Sequence, residues 1–177
     1  MLHAAALFLK DDRTLWACGG NEYGQCGNGE HGDLDTSTQD CVVKEPYKLA
    51  ENVIDMWEAS ATTFYLTADH KLYACGENSN DVLMLGGNGQ MNPENHPVFT
   101  AVPVLVMEDV RQAEYIGAGF FVLKTDQTLW SWGYADGGIM GSGVCYEGVH
   151  VGLQSFMERT KAGEMLVSPP TKIMEDV

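Results

Sequence analysis

The chain has 177 residues, 45% of them apolar, with 25 acidic against 10 basic side chains and a formal net charge of −15. The apolar share supplies a core and excludes general disorder. The charge argues against nucleic acid and anionic membrane as partners, because Lys and Arg carry the affinity for phosphate in both, and no apolar run is long enough to span a bilayer.

The first residues, Met1 to Ala6, are apolar but lack a basic segment and run into Lys10-Asp11-Asp12, so they are not read as a signal peptide. Leu7–Cys18 reads as a hairpin of two short strands around an Asp-containing turn. Gly19, Gly24, Gly27 and Gly29 punctuate the next segment, which passes into an acidic loop from Glu30 to Asp40. Val53–Trp57 is a strand. Thr62–Thr67, rich in β-branched and aromatic residues, the turn Ala68–Lys71 and Leu72–Cys75 form a second hairpin. Asn80–Met84 reads as a short insertion before Leu85-Gly86-Gly87, and Gln90–His96 continues that loop. Val104–Val106 is a strand and Phe120–Trp132 a third hairpin. The longest loop, Tyr146–Ser168, contains a predicted short helix over Gln154–Lys161.

These elements repeat. Leu15, Leu72 and Leu129 are spaced 57 apart, as are Asp12, Asp69 and Asp126, and Leu9, Leu66 and Leu123. Pro46 and Pro103 keep the same spacing, and Met107–Val110 recurs literally as Met174–Val177. Gly19, Gly24, Gly27 and Gly29 correspond to Gly133, Gly138, Gly141 and Gly143 at an offset of 114. Four short strands per repeat with glycine punctuation predict β-propeller blades. The expectation is an all-β fold of about three four-stranded antiparallel blades in a single domain over residues 1–177, with repeats near 1–53, 54–110 and 111–177. Two arrangements stay open: part of a longer propeller, or an open arc whose blade edges pair with another copy.

Residues 15–29, Leu-Trp-Ala-Cys-Gly-Gly-Asn-Glu-Tyr-Gly-Gln-Cys-Gly-Asn-Gly, resemble the repeat signature of the regulator of chromosome condensation family, and Leu129–Gly143 resembles it in glycine pattern. The resemblance covers nearly the whole chain. It implies blades of a propeller that has seven in the family, and function through loops on one propeller face that bind another protein. The family's Trp before the first glycine is kept as Trp132 but replaced by Cys18 and Cys75, and its Leu by Cys26 and Met140. Its Asp-Gly turn becomes Asp followed by Arg13, His70 or Gln127. A left-handed residue other than Gly costs about 1–2 kcal/mol, which predicts a different turn type here.

Little in the chain carries chemistry. Asp33, Asp35 and Ser37 have the spacing of a calcium-loop start, but Thr38 and Lys44 stand where Gly and Glu are needed. The histidines have no metal-ligand spacing, and neither G-x-S-x-G nor G-K-[ST] occurs. No enzyme activity, metal or cofactor is expected. Five cysteines without a CxxC pair read as buried free thiols, which favours a reducing compartment such as the cytoplasm. Trp16, Tyr73 and Trp130 share one repeat position and read as blade-to-blade packing. Trp57 has Glu114 at its repeat position and reads as a surface aromatic. Repeat-specific insertions map to loops, so partner binding is assigned to Asp33 and Asp35 in the acidic loop, to Tyr146, Phe156, Met157 and Arg159 in the longest one, and to Trp57. The expected partner is another protein, steered by the acidic charge. Self-association, and inhibition of a secreted enzyme, are the alternatives.

Overall fold

A computed structural model describes residues 4–32, 41–59, 61–78, 83, 99–116, 119–134, 140–141 and 167–177. Among them the strands are β1 (Ala5–Leu9), β2 (Leu15–Gly20), β3 (Val42–Ala50), β4 (Val53–Ala59), β5 (Thr62–Thr67), β6 (Leu72–Glu77), β7 (Phe99–Met107), β8 (Val110–Tyr115), β9 (Gly119–Lys124), β10 (Leu129–Tyr134) and β11 (Val167–Met174). They form three antiparallel sheets with neighbours in chain order, β1-β2-β3, β4-β5-β6-β7 and β8-β9-β10-β11. These are three propeller blades, the first with three described strands. The chain divides into two compact units, Met1–Asn78 with Phe99–Val110, and Ser79–Val98 with Arg111–Val177. The first holds blades 1 and 2, the second blade 3. Among the described residues no helix is long and apolar enough to cross a membrane.

The hairpin turns are alike in all three blades. In blade 1 the Lys10 and Thr14 backbones pair (N···O 3.0 Å) and the Arg13 N–H donates to Lys10 O at 2.8 Å. The same bonds recur at Thr67, Lys71 and His70, and at Lys124, Thr128 and Gln127. This is the three-residue hairpin whose last residue is left-handed. Arg13, His70 and Gln127 have φ of 62°, 65° and 65°, so the expectation of a different turn type is corrected. The turn keeps the Gly-type conformation without Gly because local bonds offset the strain. Asp12 Oδ1 accepts the Thr14 N–H at 3.0 Å and the Thr14 hydroxyl at 2.6 Å, and Trp16 Nε1 donates to that hydroxyl at 2.9 Å. Asp126, Thr128 and Trp130 repeat the chain at 3.0, 2.6 and 2.8 Å.

A second left-handed set, Asn52, Asp109 and Asp176, lies where one blade hands over to the next segment. Asn and Asp tolerate this conformation best among residues with a side chain. The residue after each donates its N–H to the hairpin-tip carbonyl: Val53 to Arg13, Val110 to His70 and Val177 to Gln127, at 3.0, 2.8 and 3.1 Å. Each hairpin tip is thereby clasped to the chain leaving its own blade.

In the first unit the core lies between blades 1 and 2. Leu7, Leu9, Leu15 and Leu49 of blade 1 pack with Val53, Met56, Tyr65 and Tyr73 of blade 2, and Tyr65 stacks on Tyr73 with ring centres 5.4 Å apart. Tyr73 is therefore blade-to-blade packing, as its periodicity predicts. All six residues of β5 are buried. The shared Gly position of β2 and β6 is explained by close approach: a Cβ would stand 2.8 Å from Ala4 O on Gly19 and 2.2 Å from Ala61 O on Gly76.

In the second unit Phe120 and Trp132 stack at 5.2 Å, fully buried. Met140 is also fully buried and accepts the Ser131 hydroxyl at its carbonyl, 2.5 Å away. Leu83 corrects the predicted insertion at Asn80–Met84. It stands 57 residues from both Cys26 and Met140 and is buried like them, so the repeat keeps register through Leu83.

Candidate interaction surface

The three segments that differ most between repeats have one place in the blade. Each leaves the strand ending at Gly20, Glu77 or Tyr134 and returns at Val42, Phe99 or Val167. The clasped hairpin tips, by contrast, are nearly identical. The described start of the first segment, Asn21–Gly32, shows how such a connector is held. Buried Asn21 takes the Cys26 N–H on its side-chain oxygen at 2.8 Å and donates to Asn28 Oδ1 and Glu30 O at 3.0 and 2.8 Å. Gln25 Oε1 accepts the Tyr23 N–H at 3.0 Å, and Gln25 Nε2 reaches Glu22 Oε2 at 3.3 Å. The loop lies directly on β7 of blade 2: a Cβ on Gly24 would be 2.2 Å from Ala101 Cα, and the Gly29 N–H donates to Ala101 O at 2.9 Å. Gly is required at position 24 for this approach and for its φ of 77°.

That packing gathers an aromatic group. Exposed His31 sits edge-on to Phe99 with ring centres 4.8 Å apart, and Tyr23 meets the same ring at 6.4 Å. His31 Nδ1 lies 2.8 Å from Gly32 O. Burial, then the charges of Glu77 and Glu22, raise the Tyr23 hydroxyl above its ordinary value, so it stays a neutral hydrogen-bonding group. Tyr23 and Phe99 are half-buried. The result is an apolar patch with polar tips beside acidic side chains, a chemistry suited to contact with a protein.

Of the residues assigned from sequence, Trp57 is half-buried in β4 opposite Phe64, in a strand rather than a connector. Asp33, Asp35, Tyr146, Phe156, Met157 and Arg159, with the predicted helix Gln154–Lys161, lie outside the described residues. Sequence reading missed Tyr23 and Phe99, which are 76 positions apart and meet only through the blade 1–blade 2 contact. The one available signal was an aromatic residue at the start of the strand after a variable segment.

Among the described residues no His, Cys, Asp and Glu side chains group as metal ligands. Cys18, Cys26, Cys41 and Cys75 are free. Burial pushes the Cys26 and Cys75 thiols up to about 12, which makes them packing groups and poor nucleophiles.

No family model and no curated protein matches the sequence. Solved structures do match. Prp20p from Saccharomyces cerevisiae, described with its binding to Gsp1p and histones, is 17% identical and superposes with a TM-score of 0.64 over 98% of this chain and 37% of its own. Yeast RCC1 (Prp20) bound to Kap60 is 18% identical, with a TM-score of 0.61 over 98% and 36%. Human WBSCR16 is 26% identical, with a TM-score of 0.57 over 79% and 32%. The chain thus spans about a third of the length of these proteins. The fold is that of blades in a regulator-of-chromosome-condensation propeller, in agreement with the resemblance carried by residues 15–29.

Proposed function

We propose that the chain is a non-catalytic protein-binding module that contacts its partner through the connectors between β2 and β3, β6 and β7, and β10 and β11. The carrying observation is that all three variable segments occupy this one connector, while the opposite ends of the blades are near-copies. The group of exposed His31 with half-buried Phe99 and Tyr23 beside the first connector supports the reading. So does the company of propellers described in complex with, or binding to, other proteins. The net charge of −15 favours a basic partner by steering.

Core histones are a suitable basic probe. Their binding to the chain is measured by titration calorimetry at low and moderate salt, beside a variant with Glu30–Asp40 scrambled at constant composition and a Phe99→Ala variant. The expected result is binding that weakens with salt and falls about tenfold or more in both variants. Binding that the scrambled connector leaves intact would be charge attraction alone and would overturn the reading.

A further inference from the structure

We infer that Tyr23, His31 and Phe99 form a recognition corner for one kind of side chain, the methylated ammonium of an alkylated lysine on the partner protein. The inference rests on the connector reading above and names the chemistry that this part of the surface selects.

Phe99 opens β7, and the connector of blade 1 brings two further rings against it. His31 meets it at 4.8 Å with the ring planes inclined by 64°, and Tyr23 at 6.4 Å with the planes inclined by 66°. None of the three is buried: His31 is exposed, and Tyr23 and Phe99 are half-buried. Rings inclined this way do not make a parallel-sided slot for a flat group. They make a corner whose walls are aromatic, with negative π faces. A compact, rounded cation touches more than one wall at once, and a quaternary ammonium is the cation that such walls recognise.

Each ring also has a carboxylate beside it. Glu77 of β6 is the cross-strand partner of Phe99, which puts their Cβ atoms about 5 Å apart. Glu22 precedes Tyr23 in the chain, and Glu30 precedes His31. After burial, the charges of Glu77 and Glu22 are what hold the Tyr23 hydroxyl above its ordinary value, so both fields reach that ring. The segments that build the corner are Asn21–Gly32, Leu72–Glu77 and Phe99–Met107. They contain Glu22, Glu30 and Glu77 and no Lys or Arg. The corner therefore asks for a positive charge that its own segments do not supply.

The kind of cation follows from how those carboxylates are held. Glu22 Oε2 accepts from Gln25 Nε2 at 3.3 Å, and Glu30 Oε2 accepts from Asn28 Nδ2 at 3.0 Å. They act as fixed charges at the ring edges rather than as an open fork for a guanidinium, which is bound best by two oxygens in its plane. An unmodified ammonium is strongly hydrated and loses that water on entering an apolar corner. Methylation keeps the charge, removes the hydrogens that bind water and adds apolar surface for the rings to cover. Rings and charges together favour the methylated form.

The test uses the 177-residue chain and pentapeptides identical except for a central trimethyllysine, lysine, arginine or the neutral carbon isostere of trimethyllysine. Titration calorimetry and proton NMR follow binding. The trimethyllysine peptide is expected to bind at least about tenfold more tightly than any of the others, with its N-methyl protons shifted upfield by the rings. Phe99→Ala and Tyr23→Ala remove that preference and Phe99→Tyr keeps it. Glu77→Gln weakens the cation and leaves the neutral isostere unchanged. Absence of binding by the trimethyllysine peptide at millimolar concentration overturns the proposal. So does a neutral isostere that binds as well, which would make the surface simply apolar, or a lysine or arginine peptide that binds as well or better. Should a ring variant fail to fold by circular dichroism, the unmodified chain decides: N-methyl protons that do not move upfield on binding overturn the corner. The connector reading fails separately. Histone binding that is lost on scrambling Glu30–Asp40, with no binding of the trimethyllysine peptide, removes the corner alone. A bound trimethyllysine peptide, with histone binding that scrambling leaves intact, removes the connector reading alone.

Discussion

Arg13, His70 and Gln127 hold the same left-handed conformation with three different side chains, and this makes the cost of each separable. Gln127 uses only its backbone in the clasp to Val177, so Gln127→Gly is expected to stabilise by roughly 1 kcal/mol, the relief of left-handed strain less the greater freedom of an unfolded Gly. His70 also places Nδ1 3.0 Å from the Val110 carbonyl, so His70→Gly loses a contact and gains less. Urea unfolding of the two variants measures the difference. Beside these turns, hydrogen bonds from the Thr14 side chain and then its backbone pull the Asp12 carboxyl down to about 2 from 3.8. A lowered folded-state value means that the unfolded chain binds the proton first as pH falls. The contribution is therefore complete above about pH 4 and lost toward pH 2. Asp12→Asn should lower stability near neutrality, where the contribution is complete, and flatten the fall between pH 4 and pH 2 in the acid-unfolding curve. Thr63 carries a buried hydroxyl with no hydrogen-bond partner. Replacement by the near-isosteric Val in Thr63→Val is expected to be neutral or to stabilise by about 1 kcal/mol, read from the shift in thermal midpoint.

At the scale of elements, one cross-strand pair shows how three blades with one pattern reach different cores. The pair is Ala6–Cys18 in blade 1, Thr63–Cys75 in blade 2 and Phe120–Trp132 in blade 3. In blade 3 the aromatic rings fill the space themselves, so Trp132→Ala should cost about 3–5 kcal/mol. In blade 2 the space over Cys75 is filled by the connector from blade 1: its thiol reaches Gln25 O at 3.6 Å, and a Cβ on Gly27 would come within 3.0 Å of the sulfur. Restoring the family residue with Cys75→Trp is therefore expected to destabilise by about 1–3 kcal/mol through overpacking, the opposite of what a consensus argument predicts. Denaturant titration of both variants checks the pair. The strands and hairpins were legible in the sequence, because alternation and β-branched runs such as Thr62–Thr67 are local signals. The filling of the Cys75 site was not, since Gln25 lies 50 positions away.

For the whole molecule, the division of labour runs along each blade. The hairpin ends are regular and clasped, and the connector ends vary. The 57-residue spacing was enough to place the repeats and the blades, because each unit must satisfy the same strand pairing and the same turns. It was also enough to mark the segments that vary between repeats, though not to bring together Tyr23, His31 and Phe99, which only packing assembles. Burial was beyond it for the same reason. Leu15 and Leu129 are one residue type at one repeat position, and so are Val53 and Val177, yet one of each pair is fully buried and the other is not. Strand, turn and repeat follow from residues close along the chain, which the sequence by itself determined. Coverage of a blade face depends on whether another blade lies against it, and that was decided only by the tertiary structure.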